Sequence, residues 1–184
     1  MSKSLFKTVS IMRTGYDRDE VDEFFDHAKA AYEGLIPETV TAADIQQATF
    51  ALVRRGYDSY EVDAALDRLE AAFVSKARTD FVAAHGQAAW MAGLAERART
   101  LYGRLSRPSG EKFDSPEGRK QGYSKAAVDT LCNRLVGFFD RQEPIGSADV
   151  RGTIFPPARG RDAYAEGPVD AFFARAIEVL LGVE

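Results

Sequence analysis

The chain has 184 residues, enough for one domain or two small ones, and at that size about two-thirds of the unfolded surface is buried on folding. Its 28 acidic and 24 basic side chains leave a formal charge of -4, too balanced for a dedicated nucleic-acid binder. One cysteine and two histidines, His27 and His85, exclude a disulfide framework, a cysteine-built zinc site and a histidine-led metal centre.

In chain order, Phe6 is followed by Gly15-Tyr16 and then by Asp17, which is placed to cap a helix while Glu20 returns the bond. Val21, Phe24, Phe25, Ala28, Tyr32 and Leu35 then recur at helical spacing, an apolar stripe that needs a partner. Residues 42–54 read as a second helix, with Thr41 as its cap and Ile45, Ala48, Phe50, Leu52 and Val53 as its apolar positions. Gly56-Tyr57 comes next, with Asp58 and Glu61 as the cap pair and Val62, Leu66, Leu69 and Phe73 as the stripe. Alanine and charged residues dominate the following segment, so this helix is expected to run from Tyr60 to about Leu105, with Gly86 as its weakest point. Unbroken, it would span about 69 Å at 1.5 Å per residue.

Residues 107–120 form an irregular link, marked by Pro108, Ser109, Gly110, Pro116 and Gly118. Gly122-Tyr123 follows, with Ser124 as cap, no acidic residue at Ala127 to reciprocate, and a stripe of Val128, Leu131, Leu135, Phe138 and Phe139. A short helix is expected over 147–154, stopped by Pro156-Pro157. At Tyr164 the cap position is Ala165, Pro168 suits a first turn, and the stripe is Val169, Phe172, Phe173, Ile177 and Leu180. Alternating β-branched runs are lacking, so the expected fold is all-α: short turn-then-helix units packed as a bundle around one long central helix.

One short pattern therefore occurs four times. Tyr16, Tyr57, Tyr123 and Tyr164 each precede a Val-Asp pair by five residues: Val21-Asp22, Val62-Asp63, Val128-Asp129 and Val169-Asp170. Tyr16 and Tyr57 lie 41 residues apart, as do Tyr123 and Tyr164. The expected organisation is a first pair over 1–75, a helical insert over 76–106 continuous with the second repeat, and a divergent second pair over 107–184. The pairs can share one pseudo-symmetric core or form two small lobes; the shared core is favoured because a lone helix pair buries little area. Gly15, Gly56 and Gly122 suggest left-handed or tight turns, and each tyrosine is expected to pack over the start of its own helix.

Little in the chain points to catalysis. The four motif aspartates sit in the first helical turn, where negative charge suits the helix dipole, and no further groups complete an acid–base or metal site. Cys132 lies on an apolar stripe, which favours a small buried side chain. The remaining signal is cationic. Arg13, Arg54 with Arg55, Arg119 with Lys120, and Arg159 with Arg161 precede the helices. Next to Met12, Leu52 and Val53 they would suit an anionic membrane surface, given avidity across copies.

On these residues the chain resembles the DivIVA-type domain of bacterial cell-division and polarity proteins. The likeness rests on Phe6 followed by Gly15-Tyr16-Asp17, Glu20-Val21-Asp22 and Phe25, and on Phe50 followed by Gly56-Tyr57-Asp58, Glu61-Val62-Asp63 and Leu66. Asp44-Ile45 resembles the family's helical lead-in; the third and fourth units keep less of the pattern. The resemblance implies a non-enzymatic, cofactor-free, cytoplasmic scaffold. Such scaffolds meet the inner face of the membrane through apolar and basic loop residues and recruit division or envelope proteins. Arg54 and Arg55 fall where that loop would be, with Leu52 or Val53 at its apolar tip; the first copy offers Met12 and Arg13.

A homodimer is compatible with the pattern, and nucleic acid is not an expected partner. No run of apolar residues is long enough to span a bilayer, and residues 1–7 lack the apolar core of a signal peptide. Without a long coiled-coil tail in the sequence, a small adaptor or regulator is expected as readily as a polar scaffold. The rival expectation is a helical ligand-binding protein or enzyme with a pocket between the pairs, lined by Trp90 and Tyr102.

Overall fold

Asp17 starts the first helix as its position suggests: Oδ1 accepts from the N–H groups of Asp19 at 2.9 Å and Glu20 at 3.2 Å. The helix, α1, spans Arg18–Tyr32 and buries Val21 and Ala28. The computed structural model describes residues 4–37, 40–118 and 120–184. Residues 1–3 of the N-terminal segment and Arg119 of the third basic cluster lie outside them. The chain divides into two compact units, Met1–Thr79 and Asp80–Glu184.

In the first unit, α2 (Ala42–Gln46) opens with a capping box. Thr41 Oγ1 accepts from the Asp44 N–H at 3.2 Å, and Asp44 accepts from the Thr41 N–H at 2.8 Å. The helix expected over 42–54 ends there. Leu52–Arg54 is instead a strand, β2, paired antiparallel with β1 (Thr14–Tyr16) in the register Thr14↔Arg54, Gly15↔Val53, Tyr16↔Leu52. Extended backbone suits this segment because Phe50 must leave α2 to meet the Tyr16 ring at a tilt, 5.4 Å between ring centroids. Then α3 (Ser59–His85) begins. Val21, Tyr57 and Val62 form the centre of the core, closed by Phe6, Phe25 and Leu66. Ala28, Ile45 and Phe73 extend it along the helices.

The expected single long helix is broken. α3 stops at His85, Gly86 takes a φ of 87°, and α4 runs over Gln87–Leu105. Glycine is the residue that adopts this backbone without penalty.

The second unit contains β3 (Gln121–Ser124), α5 (Lys125–Arg141), α6 (Ser147–Arg151), β4 (Pro157–Arg159), a 3-10 turn (Gly160–Asp162), β5 (Ala163–Tyr164) and α7 (Glu166–Val183). The three strands form one antiparallel sheet in the order β4-β3-β5. α7 is apolar nearly all round and buried to match, including Val169, Phe172, Ile177 and Leu180. α4 supplies part of the cover through Trp90, Leu94, Leu101 and Leu105, and the Trp90 indole donates to the Gly182 carbonyl at 3.0 Å. Trp90, a pocket wall in the ligand-binding expectation, is instead a core residue.

The protein is mostly helical, with seven α-helices among the described residues, but it is not all-α. Each unit carries a small antiparallel sheet. Strands of two to four residues are too short to show alternation in sequence.

Candidate functional site

The motif residues converge in each unit on a crossed pair of contacts. In the first unit the backbones of Tyr16 and Tyr57 exchange both hydrogen bonds, Tyr16 N–H to Tyr57 O at 3.0 Å and Tyr57 N–H to Tyr16 O at 2.8 Å. A β-carbon at Gly15 would overlap the Tyr57 carbonyl, and one at Gly56 would overlap the Tyr16 carbonyl. These glycines therefore serve close approach; none of Gly15, Gly56 and Gly122 has a positive φ, so the left-handed alternative fails, while Gly56 does close a tight turn on Val53.

Each tyrosine side chain then crosses to the other helix, where packing over its own was expected. The Tyr57 hydroxyl donates to Asp22, 2.9 Å to Oδ1 and 3.1 Å to Oδ2, and accepts from the Leu5 N–H at 3.2 Å. The Tyr16 hydroxyl lies close to Asp63. Burial holds the Tyr16 hydroxyl above its ordinary range, and the Asp63 charge adds to this. Burial likewise raises the Asp63 carboxyl, while the neighbouring Tyr16 hydroxyl draws it back.

Asp58 caps α3 by accepting from the Tyr60 N–H at 3.1 Å. The glutamates behave differently from the expected capping box. Glu20 accepts from the Ala51 N–H at 2.8 Å, and Glu61 accepts from the Lys7 N–H at 3.1 Å. The Asp17 and Asp58 N–H groups are already taken by the carbonyls of Ala51 and Lys7, so each glutamate ties the opposite motif's strand to its helix.

The second unit repeats these contacts with its own residues. Tyr164 donates to Asp129 at 3.0 Å and accepts from the Lys112 N–H at 3.0 Å; Tyr123 lies close to Asp170. A β-carbon at Gly122 would overlap the Tyr164 carbonyl. Phe113 meets Tyr164 edge-on at 5.3 Å, as Phe6 meets Tyr57 at 5.4 Å. Burial and the Asp129 charge push the Tyr164 hydroxyl up to about 12, against the Lys112 N–H bond. Val21, Val62, Val128 and Val169 are all fully buried. Ser124 makes no side-chain cap, and Ala127 and Pro168 cannot play the parts of Glu20 and Glu61.

Chemically, the repeated geometry uses two of the motif carboxylates as hydrogen-bond acceptors. Asp22 and Asp129 are held by phenol donors, and Asp129 also accepts from the Gly110 N–H at 2.6 Å. Lys125 is tied to the Gly110 carbonyl at 2.8 Å. Tyr102 donates to Asp140 at 2.5 Å on the surface. Burial pushes the Cys132 thiol up to about 12, which suppresses the thiolate. Among the described residues no group of three His, Cys, Asp or Glu is placed to hold a metal ion.

Among the exposed apolar side chains, which also include Leu35, Tyr60 and Ile154, three lie together at the end of the β1–β2 ribbon. Two tight turns sit side by side there, because Thr14 pairs with Arg54. One closes with the Arg13 N–H on Ser10 O at 2.9 Å and puts Ile11 and Met12 at its corners. The other closes with the Gly56 N–H on Val53 O at 3.4 Å and puts Arg54 and Arg55 at its corners. Met12 is 90% exposed, Leu52 63% and Ile11 55%. Arg13, Arg54 and Arg55 are exposed, while Val53 is half-buried. Arg55 stands in the left-handed region at φ 59°, an uncommon conformation for a side-chain-bearing residue.

The chain matches no family model, no curated protein and no solved structure.

The motif residues named from sequence thus separate from the surface residues. The former build the clasp; Met12, Arg13, Leu52, Arg54 and Arg55 lie together at the ribbon end. Ile11 was missed, although it precedes Met12 in the same apolar pair. Among the described residues no helix is long and apolar enough to cross a membrane.

Proposed function

We propose that this protein is a non-enzymatic helical scaffold or adaptor, built from a duplicated pair of DivIVA-like motifs, that works through surface contacts in bacterial cell division or polar growth. The observation that carries this reading is the ribbon end of the first unit. Ile11, Met12 and Leu52 are exposed beside Arg13, Arg54 and Arg55, a combination that suits an anionic bilayer surface and gains nothing from water. Support for the duplication comes from the crossed tyrosine–aspartate contacts, which recur at Tyr57–Asp22 and Tyr164–Asp129 with the same 35-residue separation. Use of the motif carboxylates as hydrogen-bond acceptors supports a structural role for them.

The cytoplasm, protein partners of the division or envelope machinery, and a homodimer remain parts of the same proposal. Flotation with phosphatidylglycerol-containing vesicles at low salt tests the surface contact. Binding that weakens as salt rises is expected; absence of binding at low salt overturns the membrane part. A fluorescent fusion in the native cell tests the scaffold part: enrichment at the septum or poles is expected, and a uniformly diffuse signal argues against it.

A further inference from the structure

The two units keep the same clasp but do not keep the same ribbon end. In the second unit the turn matching Ser10–Arg13 closes with the Lys120 N–H on Glu117 O at 3.2 Å, and Gly118 stands at the corner that Ile11 occupies in the first. Pro157 pairs with Tyr123 as Leu52 pairs with Tyr16, and Ala158 pairs with Gly122 as Val53 pairs with Gly15. Gly160, at φ 63°, takes the left-handed position held by Arg55. Two extra residues follow, since seven separate Phe50 from Tyr57 but nine separate Phe155 from Tyr164. They are absorbed in the 3-10 turn Gly160–Asp162.

Charge survives at this end, in Lys120, Arg159 and Arg161, but Lys120 lies 3.5 Å from Glu117 and Asp162 adds a second acid. The apolar side chains do not survive. Ile154, 90% exposed, is an exception in composition only, because it lies before β4 and away from the turn that follows Arg159.

We propose that the chain docks on an anionic lipid surface through the first unit alone, and that the second unit is a copy whose docking tip has been lost while its clasp is kept. This rests on the membrane reading above. Insertion of apolar corners supplies the affinity that a few exposed cations cannot, and among the described residues only the ribbon end of the first unit has such corners. Membrane affinity then resides in the ribbon end of the first unit.

The test uses the full chain with vesicles of phosphatidylglycerol and phosphatidylcholine. Met12→Ser with Leu52→Ser is expected to weaken binding about tenfold or more. Lys120→Gln with Arg159→Gln and Arg161→Gln, and separately Ile154→Ser, are expected to change it by less than about twofold. Emission of the Met12→Trp variant should blue-shift on adding vesicles, and that of the Lys120→Trp variant should not. All these positions are exposed, so the variants should unfold at the wild-type temperature. Wild-type binding that survives Met12→Ser with Leu52→Ser, or an equal blue shift at both tips, overturns the one-sided tip and leaves the membrane reading standing. Wild type that does not bind at all overturns the membrane reading itself.

Discussion

The Tyr57 hydroxyl donates to Asp22 Oδ1 at 2.9 Å from a position 35 residues later in the chain, and the Tyr57 ring is almost wholly buried on the way. One bond thus joins the start of α1 to the strand that feeds α3. Hydrogen bonds to a charged acceptor contribute about 1.5–3 kcal/mol. Tyr57→Phe keeps the ring and its edge-on contact with Phe6 but strands Asp22 and the Leu5 N–H. The expected loss in urea unfolding is about 1–3 kcal/mol. Tyr16→Phe should cost less, because Asp63 is exposed to water that can replace the phenol. Equal stability of Tyr57→Phe and wild type would show that the bond does not hold the unit together.

Glycine chemistry at the crossing gives a second, sharper contrast. At Gly122 a β-carbon would run into the Tyr164 carbonyl, which is backbone and cannot swing aside, whereas at Gly93 in α4 it would meet nothing. Gly122→Ala is expected to destabilise by about 3 kcal/mol or more, through strand separation or strain. Gly93→Ala should stabilise by about 0.5–1 kcal/mol from helix propensity. Thermal unfolding of the two variants side by side decides it; a tolerated Gly122→Ala would mean that β3 and β5 can part without loss.

These positions also mark what the sequence carried and what it hid. The inward valines follow from helical periodicity, and Val21, Val62, Val128 and Val169 are indeed fully buried. Glycine before tyrosine signalled backbone demand, but sequence does not separate a positive φ from a close approach, and the second is what Gly15 and Gly122 provide. Glu20 was assigned to its own helix because the local spacing fits a capping box; its acceptor is used on Ala51, 31 residues away. Lys112 gave no signal at all. It is buried, and its Nζ donates to the carbonyls of Leu105 at 2.6 Å and Arg107 at 2.8 Å, closing the C-terminal end of α4.

At the ribbon end, Arg55 occupies a left-handed backbone where the second unit has Gly160. An L-residue there costs about 1–2 kcal/mol, and the greater unfolded-state freedom of glycine returns roughly half. Arg55→Gly should therefore raise stability by about 0.5–1 kcal/mol and weaken vesicle binding at the same time. A variant that gains stability without losing binding would separate the arginine from the surface contact; one that loses stability would show that the Arg55 side chain makes a contact the backbone cost conceals.

Tyr164 offers a test in alkali. Its hydroxyl is pushed up to about 12 from an ordinary 10.0, first by burial and then by Asp129, to which it donates. A raised folded value means that the neutral phenol is favoured in the native state. The associated stability is complete below pH 10.0 and is lost as pH climbs toward about 12. The full effect is about 2–3 kcal/mol. Urea midpoints measured across that interval should fall in the wild type, and Tyr164→Phe, already weaker at neutral pH, should fall less steeply. Parallel slopes for the two proteins would mean that ionisation of some other buried group opens the second unit.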